Sequence, residues 1–113
     1  MPISAALYAR TAVLDPAHPI TAQIDALRTV IAAHGWTLDV AHVFQDAGHS
    51  GLEFDRPGLT ALRDALHRGE FVRLVVAQPE WLCRRQDDRW LIENEAERAG
   101  CRMVYGTGEE MEG

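Results

Sequence analysis

The stretch Phe71-Val72-Arg73-Leu74-Val75-Val76-Ala77 is apolar at every position but Arg73. An unbroken apolar run of this length, preceded by the stop signal Gly69, marks a strand buried on both faces rather than one with a wet side. A strand of that kind belongs in the middle of a parallel sheet. Working upstream, Arg56-Pro57 opens a helix, because proline is tolerated at the first helical position. Leu59, Leu62 and Leu66 give that helix its apolar stripe, and Gly69 closes it. Before it lies a loop with Gly48 and Gly51. Thr37 to Gln45 alternate, which predicts a second strand with Leu38, Val40 and Phe44 on one side. Further back, Ile20, Ile24, Leu27 and Ile31 fall at i, i+4, i+7 and i+11, the stripe of an amphipathic helix stopped by Gly35. A break at Asp15-Pro16 and Pro19 separates it from residues 3–10, Ile-Ser-Ala-Ala-Leu-Tyr-Ala-Arg, the first strand.

Downstream, Asp87 or Asp88 is expected to cap a third helix that turns Leu91, Ile92, Ala96 and Ala99 inward and ends at Gly100. Arg102 to Tyr105 read as a short fourth strand. Strand and helix alternate throughout, so right-handed crossovers produce a mainly parallel four-stranded α/β sheet covered on both faces. Residues 1–106 form the domain. Residues 107–113, Thr-Gly-Glu-Glu-Met-Glu-Gly, are expected to be a flexible acidic tail.

The 113 residues suit one domain, since a chain near this size buries roughly two-thirds of its unfolded surface without staples. No apolar run approaches the ~20 residues needed to cross a bilayer, and no signal-peptide pattern opens the chain, so a cytoplasmic protein is expected. Cys83 and Cys101 stand 18 positions apart with no second cysteine of a CxxC pair near either, which argues for two reduced thiols. The five histidines show no ligand spacing, and His49 near Asp46 reads as a loop histidine. No metal and no cofactor are expected. The net charge is −6 and all eleven basic residues are arginine. A domain that holds DNA alone usually shows a basic face, so DNA binding is expected to be weak or absent without a partner.

Sites in open α/β sheets form beyond the carboxyl ends of the strands. Arg10 ends the first strand, Asp46 follows the second, Glu80 follows the third, and Arg56 lies on the loop after the second. Arg84 and Arg85 come just beyond Glu80. Arginines converging on one edge, with two carboxylates to orient them, suit a phosphate or another oxyanion. Polar residues at strand ends are also what any exposed loop would supply.

The same residues resemble a family. Tyr8-Ala9-Arg10, Ala22-Gln23-Ile24-Asp25-Ala26-Leu27-Arg28 and His34-Gly35-Trp36 look like the opening of serine recombinases of the resolvase, invertase and large integrase kind. Asp46-Ala47-Gly48-His49-Ser50-Gly51 and Asp55-Arg56-Pro57-Gly58-Leu59 are similar to that family's Asp-x-x-x-Ser-Gly and Arg-Pro-Gly-Leu elements. Pro79-Glu80-Trp81-Leu82-Cys83-Arg84 takes the place of its Asp-Arg-Leu-Ser-Arg motif. The resemblance implies a flavodoxin-like three-layer α/β/α fold whose arginine-rich pocket binds the scissile DNA phosphate. It makes Arg10, Arg56 and Arg84 phosphate-binding arginines, with Gln23 and Asp46 as supporting polar groups, and Glu80, placed beyond the third strand, completes the set as part of a vestigial anion site.

Two departures from the family pattern bear on chemistry. The family runs Tyr-x-Arg-Val-Ser, and its serine attacks the phosphodiester. Here the run is Tyr8-Ala9-Arg10-Thr11-Ala12, and an alanine methyl cannot attack phosphorus. The family's Asp-Arg pair becomes Glu80-Trp81, an indole in place of a cation; losing one charge-stabilising donor costs on the order of 10²–10³ in rate. Thr11 points to the opposite side of a continuing strand from Arg10, and Cys83 beside Arg84 reads as a small buried replacement for the family's serine. No catalytic residue is therefore assigned. Family members also continue into a long helix and a DNA-binding domain, and the chain reads as a truncated, degenerate form. The reading is an inactive domain serving as a binding or regulatory module for a protein partner, a second copy or a recombinase-related complex. Trp81 and Trp90 are candidate anchors for such an interface, against a core role for Trp90. The alternatives are altered chemistry on a small anionic ligand at the same arginines, with Glu80 and Asp46 as acid–base groups, and an active DNA recombinase.

Overall fold

The computed structural model describes residues 2–11 and 19–106. Ala12, the Asp15-Pro16 break and the 107–113 tail lie outside the described residues. Four strands, β1 (Ser4–Thr11), β2 (Thr37–Ala47), β3 (Arg73–Val76) and β4 (Arg102–Tyr105), form one parallel sheet in the order β2-β1-β3-β4. Helices α1 (Ile20–Ala33), α2 (Pro57–His67) and α4 (Gln86–Arg98) make the crossovers. A four-residue turn, α3 (Pro79–Leu82), precedes α4 and was not anticipated. Its signal was present in Gln78-Pro79-Glu80: a proline at the first helical position with an acidic residue in the first turn.

Strand alternation divides the core. Ala5, Leu7, Ala9 and Val75 pack under α1 with Ile24, Leu27, Val30 and Ile31. Ala6, Tyr8, Leu74 and Val76 pack on the other face with Leu59, Leu62 and Leu66 of α2 and Ile92 and Ala96 of α4. β1 is buried through Ala5–Arg10 and β3 through Leu74–Val76, as strands covered on both faces must be. α1 ends as its glycine signal requires. Gly35 sits at φ 73°, its N–H bonds Ala32 O, and Trp36 N–H reaches back to Ile31 O, the paired bonds that use up a helix's last carbonyls. The same two bonds close α2 through Glu70 and α4 through Cys101.

Three local expectations are corrected. Leu38, Val40 and Phe44 do not share one side: Leu38 packs with the α1 cluster, Phe44 with the α2 cluster, and Val40 with neither. The β1–β2 register jumps from Ala5↔Leu38 to Leu7↔Val43, and the extra residues on β2 bulge outward, leaving Val40 79% exposed. Neither Asp87 nor Asp88 caps α4. The helix starts at Gln86 with Arg85 at the cap position and no side-chain cap bond, and both carboxylates lie in its first turn, where they complement the helix dipole. Leu91 does not turn inward, and Ala99 is only half-buried. α4 touches the core along the narrow strip of Ile92 and Ala96, and Leu91 lies roughly 100° around the helix from Ile92.

Candidate functional site

β1 runs past its neighbour. Its last pair with β3 is Tyr8↔Val76, yet the strand continues to Thr11. The Arg10 peptide therefore has no strand partner on the β3 side. Gln23 of α1 supplies one: its Oε1 accepts from Arg10 N–H at 2.9 Å and its Nε2 donates to Arg10 O at 3.1 Å. The side-chain amide thus stands where a strand's peptide would.

Tyr8 and Arg10, two apart, leave the strand on the same face. The Tyr8 hydroxyl donates to Asp46 Oδ2 at 2.7 Å and accepts from Arg56 Nη1 at 2.9 Å. Asp46 also accepts from Gly58 N–H at 2.7 Å and Leu59 N–H at 2.9 Å. These are first-turn amides of α2, so Asp46 caps that helix from a neighbouring strand. Burial, reinforced by the Asp46 carboxylate, drives the Tyr8 hydroxyl's pKa far above the ordinary phenol value. Tyr8 remains a neutral bridge between a buried cation and a buried anion.

Arg56 is 0% exposed. Besides Tyr8, it donates through Nη2 to Leu82 O, and the same nitrogen lies 3.4 Å from Cys83 Sγ. Its Nε finds no acceptor among the described residues. Arg10 is 7% exposed and, among the described residues, donates only to carbonyls: Nε to Trp81 O at 2.9 Å, Nη1 to His49 O at 3.0 Å and Nη2 to Glu80 O at 3.1 Å. Its pKa is lowered, first by burial and then by the charges of Arg56 and Arg84. Arg84 is exposed, and its backbone N–H bonds Gly51 O. Gly51 sits between the two guanidinium-bearing chains; a Cβ there would lie 2.5 Å from Arg84 Cγ and 2.8 Å from Arg10 Nη2.

The structure thus brings Arg10, Arg56, Arg84, Gln23, Asp46 and Glu80 to one end of the sheet, but their roles differ from a ring of arginines oriented by two carboxylates. Asp46 reaches Arg56 only through Tyr8. Glu80 contributes its carbonyl to Arg10, while its side chain is exposed. Trp81 is half-buried, wedged against both core clusters. Trp90, by contrast, is 63% exposed, which overturns the core reading for it; it lies roughly 160° around α4 from Ile92. Cys83 is buried, and burial raises its thiol pKa despite the nearby Arg56, the opposite of what a nucleophilic thiolate needs. β1 continues through Thr11, so the Thr11 side chain faces away from Arg10. Among the described residues no group of three His, Cys, Asp or Glu side chains could hold a metal ion, and no helix is long and apolar enough to cross a membrane.

Sequence reading did not assign roles to Tyr8, Gly58 or the carbonyls of His49, Glu80, Trp81 and Leu82. Tyr8 could have been found, because it opens the quoted Tyr-x-Arg run. The carbonyls could not, since every residue type carries one.

The family model for the resolvase N-terminal domain matches residues 5–112, and the chain belongs to that family. Among solved structures, it is similar to the C-terminal catalytic domain of ISC1926 TnpA, an IS607-like serine recombinase. That match has a TM-score of 0.82 and 24% identity, over 91% of this chain and 69% of the other. The N-terminal catalytic domain of TP901-1 integrase matches at TM-score 0.81 and 24% identity, over 90% and 76% of the two chains. A serine recombinase from Sulfolobus solfataricus matches at 0.75 and 25%, over 97% and 72%. These likenesses show the three-layer fold, in agreement with the family match. No curated protein matches the chain.

Proposed function

We propose that the chain is a non-cleaving serine-recombinase-type domain that works as a binding or regulatory module, through a protein partner or within a recombinase-related complex. The observation that carries this reading is Ala12. It occupies the nucleophile's place in the Tyr8-Ala9-Arg10-Thr11-Ala12 run, and a methyl group has no lone pair to attack phosphorus. The surroundings offer no substitute among the described residues: Cys83 is enclosed with its thiol held protonated, and Thr11 faces away. The net charge of −6 favours a protein partner over stand-alone DNA binding, and Trp90 supplies an exposed aromatic that such a partner could cover.

The test is covalent trapping. Incubation with end-labelled duplex DNA of randomised sequence, followed by a denaturing gel, is expected to give no protein–DNA adduct from the wild-type chain; an adduct that survives denaturation would overturn the reading. Light scattering examines the partner half. A defined oligomer or complex that weakens on Trp90→Glu is the expected result.

A further inference from the structure

We infer that α3 is an internal latch on the arginine pair, so that a bound phosphate-type oxyanion and a closed α3 exclude one another. This rests on the reading of Arg10 and Arg56 as anion-binding groups. In the closed state those guanidiniums are engaged by three consecutive carbonyls. Arg10 donates to Glu80 O and Trp81 O, and Arg56 donates to Leu82 O. All three carbonyls lie at the end of α3, where helical C=O groups lack partners along the chain and carry partial negative charge. They present to the two forks the kind of acceptor array that a phosphate's oxygens would present.

Steric access leads to the same conclusion. Arg56 is 0% exposed, with the Leu82 carbonyl and the Cys83 sulfur against its Nη2. No oxyanion reaches that nitrogen unless the 79–83 segment moves. The segment is lightly held by its own backbone, through Trp81 N–H to Gln78 O at 3.0 Å, Cys83 N–H to Pro79 O at 3.2 Å and Arg84 N–H to Gly51 O at 3.0 Å. Arg89 Nη1 adds one bond, to Cys83 O at 3.1 Å, and a one-turn element with few backbone bonds of its own can open as a unit. Buried Leu82 and the half-buried Trp81 indole hold it down. Charge pushes the other way. Arg10, Arg56 and Arg84 lie close enough for the latter two to depress Arg10's proton affinity, and carbonyl dipoles offset that repulsion less completely than an anion's full charge. A ligand that binds only the open form meets an apparent affinity reduced by the open fraction.

The experiment titrates inorganic phosphate into wild type and Pro79→Gly, reading affinity by NMR and hydrogen exchange at the Trp81 and Cys83 amides. Glycine frees the backbone of the open segment, shifting the latch by about fivefold, so Pro79→Gly is expected to bind phosphate about fivefold more tightly. Arg56→Ala in the same background removes the gain. In wild type, saturating phosphate speeds exchange at both amides. Equal affinity in the two proteins, binding that leaves both amides protected, or no binding even to Pro79→Gly overturns the latch. Should Pro79→Gly fail to fold, exchange in the wild-type chain decides alone. A covalent adduct in the trapping assay would remove the non-cleaving reading and leave the latch untouched.

Discussion

Two sides of the same sheet edge treat arginine in opposite ways. On the α2 side, Arg56 is sealed under Leu82 and Cys83 and bridged through the Tyr8 hydroxyl to Asp46, which also caps α2. On the open side, Arg84 lies against Gly51 with its head in solvent, and the Glu80 side chain is equally exposed. Residue type fixes the charge in both places, but only position decides whether that charge is structural or available. A buried ion pair is sensitive to the loss of one partner, because the other is left uncompensated. An exposed cation loses little when removed, since water solvates it in every state. The enclosed side should therefore behave as framework and the open side as replaceable surface.

The largest expected effect breaks the enclosed side. Asp46→Ala leaves Arg56 without its anion, and Tyr8 and two α2 amides without their acceptor, at a cost of about 3–5 kcal/mol in urea unfolding. Arg84→Ala should stay within about 0.5 kcal/mol of wild type in the same measurement; comparable losses at both positions would dissolve the contrast.

Glycine substitutions sharpen it at a smaller scale. A Cβ on Gly58 would lie 2.3 Å from Gln45 O, a backbone atom that cannot step aside, so Gly58→Ala is expected to lower stability by about 2–3 kcal/mol. At Gly51 the close atoms belong to side chains, Arg84 Cγ at 2.5 Å and Arg10 Nη2 at 2.8 Å; the exposed Arg84 can turn aside, while Arg10, held by three carbonyls, gives less readily. Gly51→Ala should cost about 1 kcal/mol, and thermal melts of the two variants would rank them.

The smallest effect concerns an ion pair away from this edge. Arg63 Nε donates to Glu95 Oε1 at 2.9 Å between α2 and α4, and this bond is the main cause that lowers Glu95's pKa. A carboxylate whose folded pKa is depressed contributes stability above its unfolded pKa, and that stability is lost as pH falls through the folded value. Arg63→Ala should thus cost about 0.5–1 kcal/mol at pH 7. The difference from wild type should narrow below about pH 4, where Glu95 protonates first in the unfolded chain and, lower still, in the folded one. A gap independent of pH would assign the loss to the Arg63 guanidinium stacked over the Phe54 ring instead.

The elements that bury a continuous stripe were legible from the chain. Ile24, Leu27 and Ile31, then Leu59, Leu62 and Leu66, all lie in the core, as their spacing predicted. The errors fell where the pattern is one side chain wide. Leu91 and Trp90 are apolar neighbours of Ile92 on a helix that contacts the core only through Ile92 and Ala96, and local sequence does not reveal so narrow a contact. Val40 fits strict alternation and fails because the bulge in β2 appears only when β1 is laid beside it.

By itself, the sequence determined the order of elements, the parallel sheet, the family and the residues that meet at the sheet's carboxyl edge. Apolar periodicity and the Tyr-Arg, Asp-Ser-Gly-like and Arg-Pro-Gly-Leu stretches are properties of side-chain type. Only the tertiary structure decided what the arginines there hold. Gln23 pairs with a peptide, Asp46 caps a helix, and Arg10 and Arg56 close on the carbonyls of residues 49 and 80–82. Those partners are backbone groups that every residue carries, so no choice of amino acid announces them, and only the path of the folded chain brings them within reach.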